Sequence, residues 1–165
     1  MTTATASAAF YQDEAIGDAL GKIPSGLFII TAESAGARVG MLASWVQQTG
    51  FHPPTVMVAV HPERELYQLI RKTGRFTVNV LAQGSTELLK TFSRYNPQAF
   101  DRVSAYGTDC GLVLREALSA MDCVVKSTVD SGGDHLTLIA EVVRGHQAQA
   151  GREPALHLRS NGFSY

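Results

Sequence analysis

The sequence has few cysteines, little charge and no long apolar run, and each of these shortages excludes a class of protein. Two cysteines among 165 residues, Cys110 and Cys123, have neither the density of a secreted disulfide scaffold nor the spacing of a zinc site. The formal net charge of −1 provides no basic surface for nucleic acid. No apolar run approaches the roughly 20 residues that a membrane-spanning helix needs. We therefore expect reduced thiols in a cytoplasmic protein with neither nucleic-acid nor membrane partners.

Two further shortages concern the N-terminus and the histidines. The first residues contain neither the charged part nor the apolar part of a secretion signal, so we expect residues 1–9 to be a flexible tail. His52, His146 and His157 show no ligand-like grouping, and no metal site is predicted. With 45% apolar residues, residues 10–165 have enough material for the core of one domain.

The most informative stretch runs from Gly40 to Leu81. A predicted strand ends at residues 43–45, Ala-Ser-Trp, where two small side chains would let a ligand approach the backbone closely. Residues 55–60 are apolar and rich in β-branched side chains, which is typical of a buried strand. Residues 61–64, His-Pro-Glu-Arg, are expected to open a helix with proline at its first position. Strand ends, a helix N-terminus and an arginine together could hold a phosphate-bearing ligand.

The rest of the chain is mainly strand-like. Periodic apolar residues predict helices over residues 10–23 and 86–92, the second with Ser85 as its N-cap. Strands are predicted over residues 27–31, 38–47, 55–60, 76–81, 117–129 and 135–146. Residues 94–108 are less regular, either a functional loop or lid, or a merely packed or disordered segment. Many strands with few helices predict a mainly β (α+β) fold, a β-barrel with peripheral helices.

Several of these segments together resemble the flavin reductase-like proteins. The matching pieces keep their order over most of the chain, and they are residues 40–45, 51–54, 76–81, 133–135 and 141–142. The sequence around residues 43–45 is most similar to that of the flavin reductase domain of diflavin flavoproteins. The resemblance implies a homodimeric FMN-binding split β-barrel, in which FAD is a possible alternative to FMN.

The resemblance also implies roles for individual residues. The cofactor-binding positions are Leu42, Ala43, Ser44, Trp45, His61, Arg64, Asn79, Val80 and Leu81. Within this set, His61 and Arg64 correspond to phosphate and ribityl contacts, and an arginine fork suits a phosphate group. Glu65 stands near the place where the family often has a hydroxyl residue. His135 is implied to be the catalytic residue near the nicotinamide and flavin N5, whereas Asp134 is expected to hold the preceding turn.

Each implied site residue also has an ordinary structural interpretation. Ser44 could be a surface hydroxyl, Trp45 a core aromatic side chain, and Asn79 an amide bonded to neighbouring backbone. Residues 61–64 could be a solvated helix start, and His135 an exposed histidine at a strand end.

The implied function is that of an NAD(P)H-dependent flavin reductase, in which NADH or NADPH delivers hydride to the flavin. Reduced flavin would then pass electrons to a monooxygenase or another acceptor. One alternative is an FMN-binding electron-transfer protein that a protein partner reduces. Another is a haem-binding or sensory split barrel, which a Soret band would distinguish from a flavin spectrum.

Overall fold

The computed structural model of the protein describes residues 13–147, 149 and 151–163. The predicted tail over residues 1–9 and the start of the predicted first helix, residues 10–12, lie outside the described residues. The described residues belong to two compact units. Residues 13–25 and 156–163 belong to the first unit, and residues 26–155 form the second.

Strands dominate the part of the chain that the structure describes. They are β1 (Ser25–Gly26), β2 (Phe28–Ser34), β3 (Ala37–Ala43), β4 (Val46–Phe51), β5 (Pro54–Val60), β6 (Arg75–Val80), β7 (Ala105–Gly107), β8 (Leu112–Leu114), β9 (Ser119–Asp130), β10 (Leu136–Gln147) and β11 (Leu156–His157). The helices are α1 (Glu14–Gly21), α2 (Glu65–Thr73), α3 (Thr86–Phe92) and α4 (Ala99–Arg102). None of the helices in the described ranges is long and apolar enough to cross a lipid bilayer.

In the first unit, helix α1 packs against the C-terminal segment through glycines. Asp13 is its N-cap and accepts a hydrogen bond from the Ala15 N–H at 2.8 Å. A Cβ atom on Gly17 would lie 2.9 Å from the Asn161 side chain. A Cβ on Gly21 would lie 3.0 Å from the Arg159 carbonyl oxygen. The glycines therefore allow the two segments to pack closely.

In the second unit, seven strands form one antiparallel sheet in the order β3-β2-β6-β9-β10-β5-β4. The mainly β class with a few helices is therefore confirmed. Alternate residues of a strand face opposite sides of the sheet. Strand β2 therefore contributes side chains to two apolar cores, one on each face. Ile30 packs in a core that helix α2 joins through Leu66. Ile29 packs in the core that helix α3 joins through Phe92.

The predicted strand end at residues 43–45 is confirmed, whereas the prediction that one strand runs over residues 38–47 is wrong. Strand β3 pairs with β2 and ends at Ala43, whereas β4 pairs with β5 and begins at Val46. Ser44 and Trp45 connect the two strands, which are the two edges of the sheet. The strand break lies at the positions where the sequence predicted a ligand.

The predicted start of the second helix at residues 61–64 is also wrong. Helix α2 begins at Glu65, and Arg64 is its N-cap with extended backbone angles, φ −69° and ψ 136°. The Arg64 N–H donates to the His61 carbonyl at 3.1 Å, so Pro62 lies in a turn that precedes the helix. Proline suits such a turn because its φ angle is fixed.

Helix α3 confirms the helix predicted over residues 86–92. Ser85 occupies the N-cap position, but its side chain makes no capping hydrogen bond. The turn that precedes His135 joins β9, which ends at Asp130, to β10, which begins at Leu136. These two strands pair along almost their whole length.

Buried polar side chains fasten the β7–β8 hairpin to the sheet. The Asp122 carboxylate accepts hydrogen bonds from the hydroxyls of Thr77 at 2.7 Å and Thr108 at 2.9 Å. Its other oxygen lies 3.0 Å from His146 Nε2, whose ring also contacts the Tyr106 hydroxyl at 3.3 Å. The Asp122 side chain is only 4% exposed, so these partners replace the water that its charge has lost.

Gly111, immediately before β8, lies directly against β2. A Cβ atom at this position would lie 2.6 Å from the Thr31 carbonyl oxygen and 2.9 Å from the Thr77 hydroxyl. The adjacent Leu112 N–H donates to the Thr31 hydroxyl at 3.1 Å. The hairpin can approach β2 this closely because residue 111 has no side chain.

Both cysteines are buried free thiols. Burial raises the pKa of Cys123 to about 12, and it also raises the pKa of Cys110 above its ordinary value. Both side chains are therefore protonated at neutral pH, and thiols of this kind are poor nucleophiles.

Candidate functional site

Three aromatic side chains from different parts of the chain meet in the second unit, and we call them the aromatic cluster: Trp45, His61 and His135. The ring centroids of Trp45 and His135 are 5.0 Å apart with an interplanar angle of 66°. Those of His61 and His135 are 5.5 Å apart at 88°. Both contacts have the edge-to-face geometry that aromatic rings prefer. His135 therefore contacts both of the other rings.

The sheet order explains why these residues meet. Strand β5 lies between β4 and β10 and pairs with both. Trp45 precedes β4, and its carbonyl oxygen accepts a hydrogen bond from the Ala59 N–H of β5 at 3.0 Å. His61 follows β5 and His135 precedes β10, and the pairing of Val60 with Leu136 places the two histidines side by side.

A carboxylate holds the central histidine of the cluster. Asp134 Oδ1 lies 2.8 Å from His135 Nδ1. This hydrogen bond lowers the pKa of Asp134 below its ordinary value, which keeps the carboxylate ionised at neutral pH. The turn itself is held by Asp130, whose carboxylate accepts from the Gly132 N–H at 2.8 Å. The role of Asp134 in holding the turn stays a prediction, since its carboxylate also bonds the His135 ring.

Next to Trp45, the Ser44 hydroxyl is buried without a partner. The residue is only 3% exposed, and its Oγ has no hydrogen bond to any of the residues that the structure describes. A buried polar atom without a partner costs about 1–3 kcal/mol, so proteins rarely contain one without a reason. The Ser44 hydroxyl therefore has unused hydrogen-bonding capacity, and the small side chain of Ala43 precedes it.

The turn before helix α2 presents groups that suit an anion. Arg64 is exposed at the helix start, where N–H groups of the first turn lack intrahelical partners. His61 Nδ1 accepts a hydrogen bond from the Glu63 N–H at 3.3 Å, and the Gln68 amide donates to the Pro62 carbonyl at 2.7 Å. These bonds fix the turn and hence the position of the His61 ring.

The structure does not bring the Asn79 side chain to the aromatic cluster. Its amide nitrogen donates to the carbonyls of Ile29 at 3.2 Å and Leu112 at 3.1 Å, and its oxygen accepts from the Leu114 N–H at 2.8 Å. The residue is fully buried, and its side chain holds β8 against the sheet. The hydrogen-bond partners that a buried amide needs, which a ligand was predicted to provide, are therefore backbone groups of the protein itself.

The other residues for which the resemblance implied cofactor binding are buried or half-buried apolar side chains. Leu81 is fully buried in the core beneath helix α3, and Leu42 packs against the same core. Val80, at the end of β6, is half-buried. Sequence reasoning missed the pairing of Asp134 with His135, although a carboxylate directly before a histidine is a visible signal.

The model of the flavin reductase like domain matches residues 20–164, which is most of the chain. The chain belongs to the flavin reductase like domain family. The family that the motifs at residues 40–45, 76–81 and 133–135 indicated is therefore confirmed.

Curated relatives and solved structures are similar to this chain over most of its length. Diflavin flavoprotein A 1 from Synechocystis sp. is 34% identical over 158 residues, which is 93% of this chain but 27% of that protein. The chain thus spans about a quarter of the length of the curated relatives it matches. Nitrilotriacetate monooxygenase component B from Mycobacterium thermoresistibile is 26% identical with a TM-score of 0.81, covering 93% of this chain and 86% of that one. The styrene monooxygenase flavin reductase from Pseudomonas putida S12 is 26% identical with a TM-score of 0.77, covering 87% and 92%.

Proposed function

We propose that this protein is an FMN-binding flavin reductase that takes hydride from NADH or NADPH. Membership of the flavin reductase like domain family supports a flavin-dependent oxidoreductase. The observation that carries the proposal is the buried, unpartnered Ser44 hydroxyl beside the aromatic cluster. A bound flavin would supply the hydride acceptor, and the protein supplies binding and orientation.

The residues present fit a flavin mononucleotide. The unpartnered Ser44 hydroxyl would bond a polar edge of the flavin ring, and the small side chain of Ala43 beside it would let a planar group approach the backbone. Arg64 at the start of α2 suits a single phosphate, because its guanidinium makes charge-assisted bonds with phosphate oxygens. With one phosphate site in view, we expect FMN to bind more tightly than FAD.

In the proposed reaction, His135 orients the nicotinamide. Its ring is held by Trp45, His61 and the Asp134 carboxylate, so its polar atoms have a defined direction before the nucleotide binds. Such preorganisation raises the rate by positioning the reacting groups. Leu42, Val80 and Leu81 would support the site by packing.

We also propose the wider setting of the protein. Residues 10–165 form the flavin-binding domain of a cytoplasmic homodimer, and reduced flavin serves a monooxygenase or another electron acceptor. The names of two structural relatives, a component of nitrilotriacetate monooxygenase and the flavin reductase of styrene monooxygenase, support such an acceptor. Light scattering at micromolar concentration tests the dimer.

The proposed function is tested by anaerobic reduction of the FMN-loaded protein. After the protein is mixed with NADH or NADPH in a stopped-flow instrument, the absorbance of the oxidised flavin should decrease. FMN that stays oxidised with both nucleotides but is reduced by dithionite would favour the electron-transfer alternative. A Soret band after purification with haem, without flavin binding, would favour the haem-binding alternative.

Replacing His135 with alanine should reduce the nicotinamide-driven rate at least about tenfold, equivalent to roughly 1.4 kcal/mol in the barrier. The loss follows because the nucleotide is no longer oriented over the flavin. Dithionite needs no nucleotide site, so its reaction should be unchanged. His52→Ala, a change of an exposed histidine in the turn between β4 and β5, serves as the control. An unchanged nicotinamide-driven rate in His135→Ala would return this residue to a structural role.

Replacing Ser44 with alanine should affect stability and flavin binding in opposite directions. Removing the unpartnered hydroxyl should stabilise the flavin-free protein by about 1 kcal/mol and weaken FMN binding by a similar amount. Ser85→Ala is the matched control, because the Ser85 hydroxyl is also buried without a partner in the described part of the chain. It should stabilise the protein without changing FMN affinity. Urea unfolding and flavin-fluorescence titration measure the two effects, and equal FMN affinities for all three proteins would contradict the role of Ser44.

A further inference from the structure

The bond between Asp134 and His135 decides which ring nitrogen carries hydrogen. An ionised carboxylate is only an acceptor, so His135 Nδ1, 2.8 Å from Asp134 Oδ1, carries a hydrogen. A neutral His135 is therefore the Nδ1–H tautomer, with a lone pair on Nε2. The tautomer of a histidine is set by the hydrogen bond that its other nitrogen makes.

His61 has the opposite tautomer. Its Nδ1 accepts from the Glu63 N–H at 3.3 Å, so the hydrogen of the neutral ring lies on Nε2. The two imidazoles that contact each other edge to face therefore differ in where they donate and accept. The fold distinguishes them through one backbone N–H and one carboxylate.

The rotation of the His135 ring is also restricted. The Trp45 and His61 rings contact the His135 ring with interplanar angles of 66° and 88°. The His135 side chain is 23% exposed. Within the described residues, no hydrogen bond is found at its Nε2. Nε2 is therefore the ring atom that is left to meet a ligand.

We propose that Asp134 is a positioning residue, which fixes the tautomer and rotation of His135 so that Nε2 faces the substrate as a hydrogen-bond acceptor. The inference rests on the proposed function, since the substrate in question is the nicotinamide nucleotide. The reduced nicotinamide carries a suitable donor, the N–H of its carboxamide. Asp134 itself is 80% exposed and acts through His135.

Three variants separate positioning from support of the turn. Asp134→Ala removes the acceptor, whereas Asp134→Asn keeps an amide oxygen that can accept from Nδ1–H. Asp130→Ala is the matched control, because Asp130 bonds the Gly132 N–H in the same turn and does not contact the ring.

The first measurement is the tautomer of His135 in the FMN-loaded, nucleotide-free protein. Two-dimensional proton–nitrogen NMR of the imidazole distinguishes the tautomers, and the His135→Ala variant assigns the signal. The wild type, Asp134→Asn and Asp130→Ala should show Nδ1–H. Asp134→Ala should shift the population towards Nε2–H.

The second measurement is anaerobic reduction by NADH or NADPH at varied concentration. Asp134→Ala should lower the ratio of the reduction rate to the nucleotide KM by about tenfold, because the contact between His135 and the nucleotide is misoriented. The change can come from a higher KM, a lower reduction rate or both. Asp134→Asn and Asp130→Ala should stay within about twofold of the wild type. FMN affinity and the dithionite reaction should be the same in all four proteins.

The outcomes are distinguishable. A wild type that oxidises neither nucleotide would overturn the proposed function and the positioning role with it. A wild type that oxidises one of them, with Asp134→Ala equal to Asp130→Ala in tautomer and kinetics, would overturn the positioning role alone. Loss in Asp134→Ala with rescue in Asp134→Asn supports it.

Discussion

Replacing Asp122 with alanine is expected to lower the free energy of unfolding by about 3 kcal/mol, the upper end of the range for leaving buried hydrogen-bonding groups unsatisfied. The change leaves the hydroxyls of Thr77 and Thr108 and the His146 ring without their shared acceptor in a largely buried site. The β7–β8 hairpin depends on these bonds, so its protection from hydrogen exchange should fall most. Urea unfolding measures the first effect.

The control for this prediction is Asp130→Ala. Asp130 is exposed and makes one hydrogen bond to a turn N–H, so its loss should cost at most about 1 kcal/mol. Asp122→Asn should fall between the two, since an amide oxygen can still accept from both threonines. A loss below about 1 kcal/mol in Asp122→Ala would show that the buried network does not stabilise the fold.

Replacing Arg64 with alanine is expected to weaken FMN binding by about 1.5–3 kcal/mol, the range for hydrogen bonds to a charged group. The guanidinium is at the start of helix α2, where the helix dipole also favours a phosphate. Riboflavin has no phosphate, so its affinity should hardly change. Flavin-fluorescence titration gives both dissociation constants.

Arg71→Ala is the matched control because it removes the same charge from the opposite end of the same helix. It should leave FMN affinity within about twofold, apart from a small long-range effect that salt screens. If FMN and riboflavin weaken alike in Arg64→Ala, then Arg64 supports the fold and another group holds the phosphate.

Much of the fold could be predicted because its elements have strong local patterns. Residues 86–92 form helix α3 as expected, and residues 55–60 lie in β5. The strand end at residues 43–45 could be predicted from its small residues. The change of pairing partner that follows, from β2 to β5, could not. That exchange depends on strands that are distant in the sequence.

The candidate site shows the same division between local and distant information. Trp45, His61 and His135 were each visible as residues at strand ends, and the sheet order brings them together. Asn79 was visible as a buried amide that needs partners. Its partners proved to be backbone groups of Leu112 and Leu114, more than 30 residues away, which no local pattern reveals.

The close approach at Gly111 has a consequence for how the sequence can vary during evolution. Even the methyl group of alanine would meet the Thr31 backbone there, so selection should reject nearly every substitution at this position. Glycine would then be retained among homologues as strictly as a ligand-binding residue, although its role is packing. Strict retention at position 111 would therefore identify where the hairpin meets the sheet and would say nothing about chemistry.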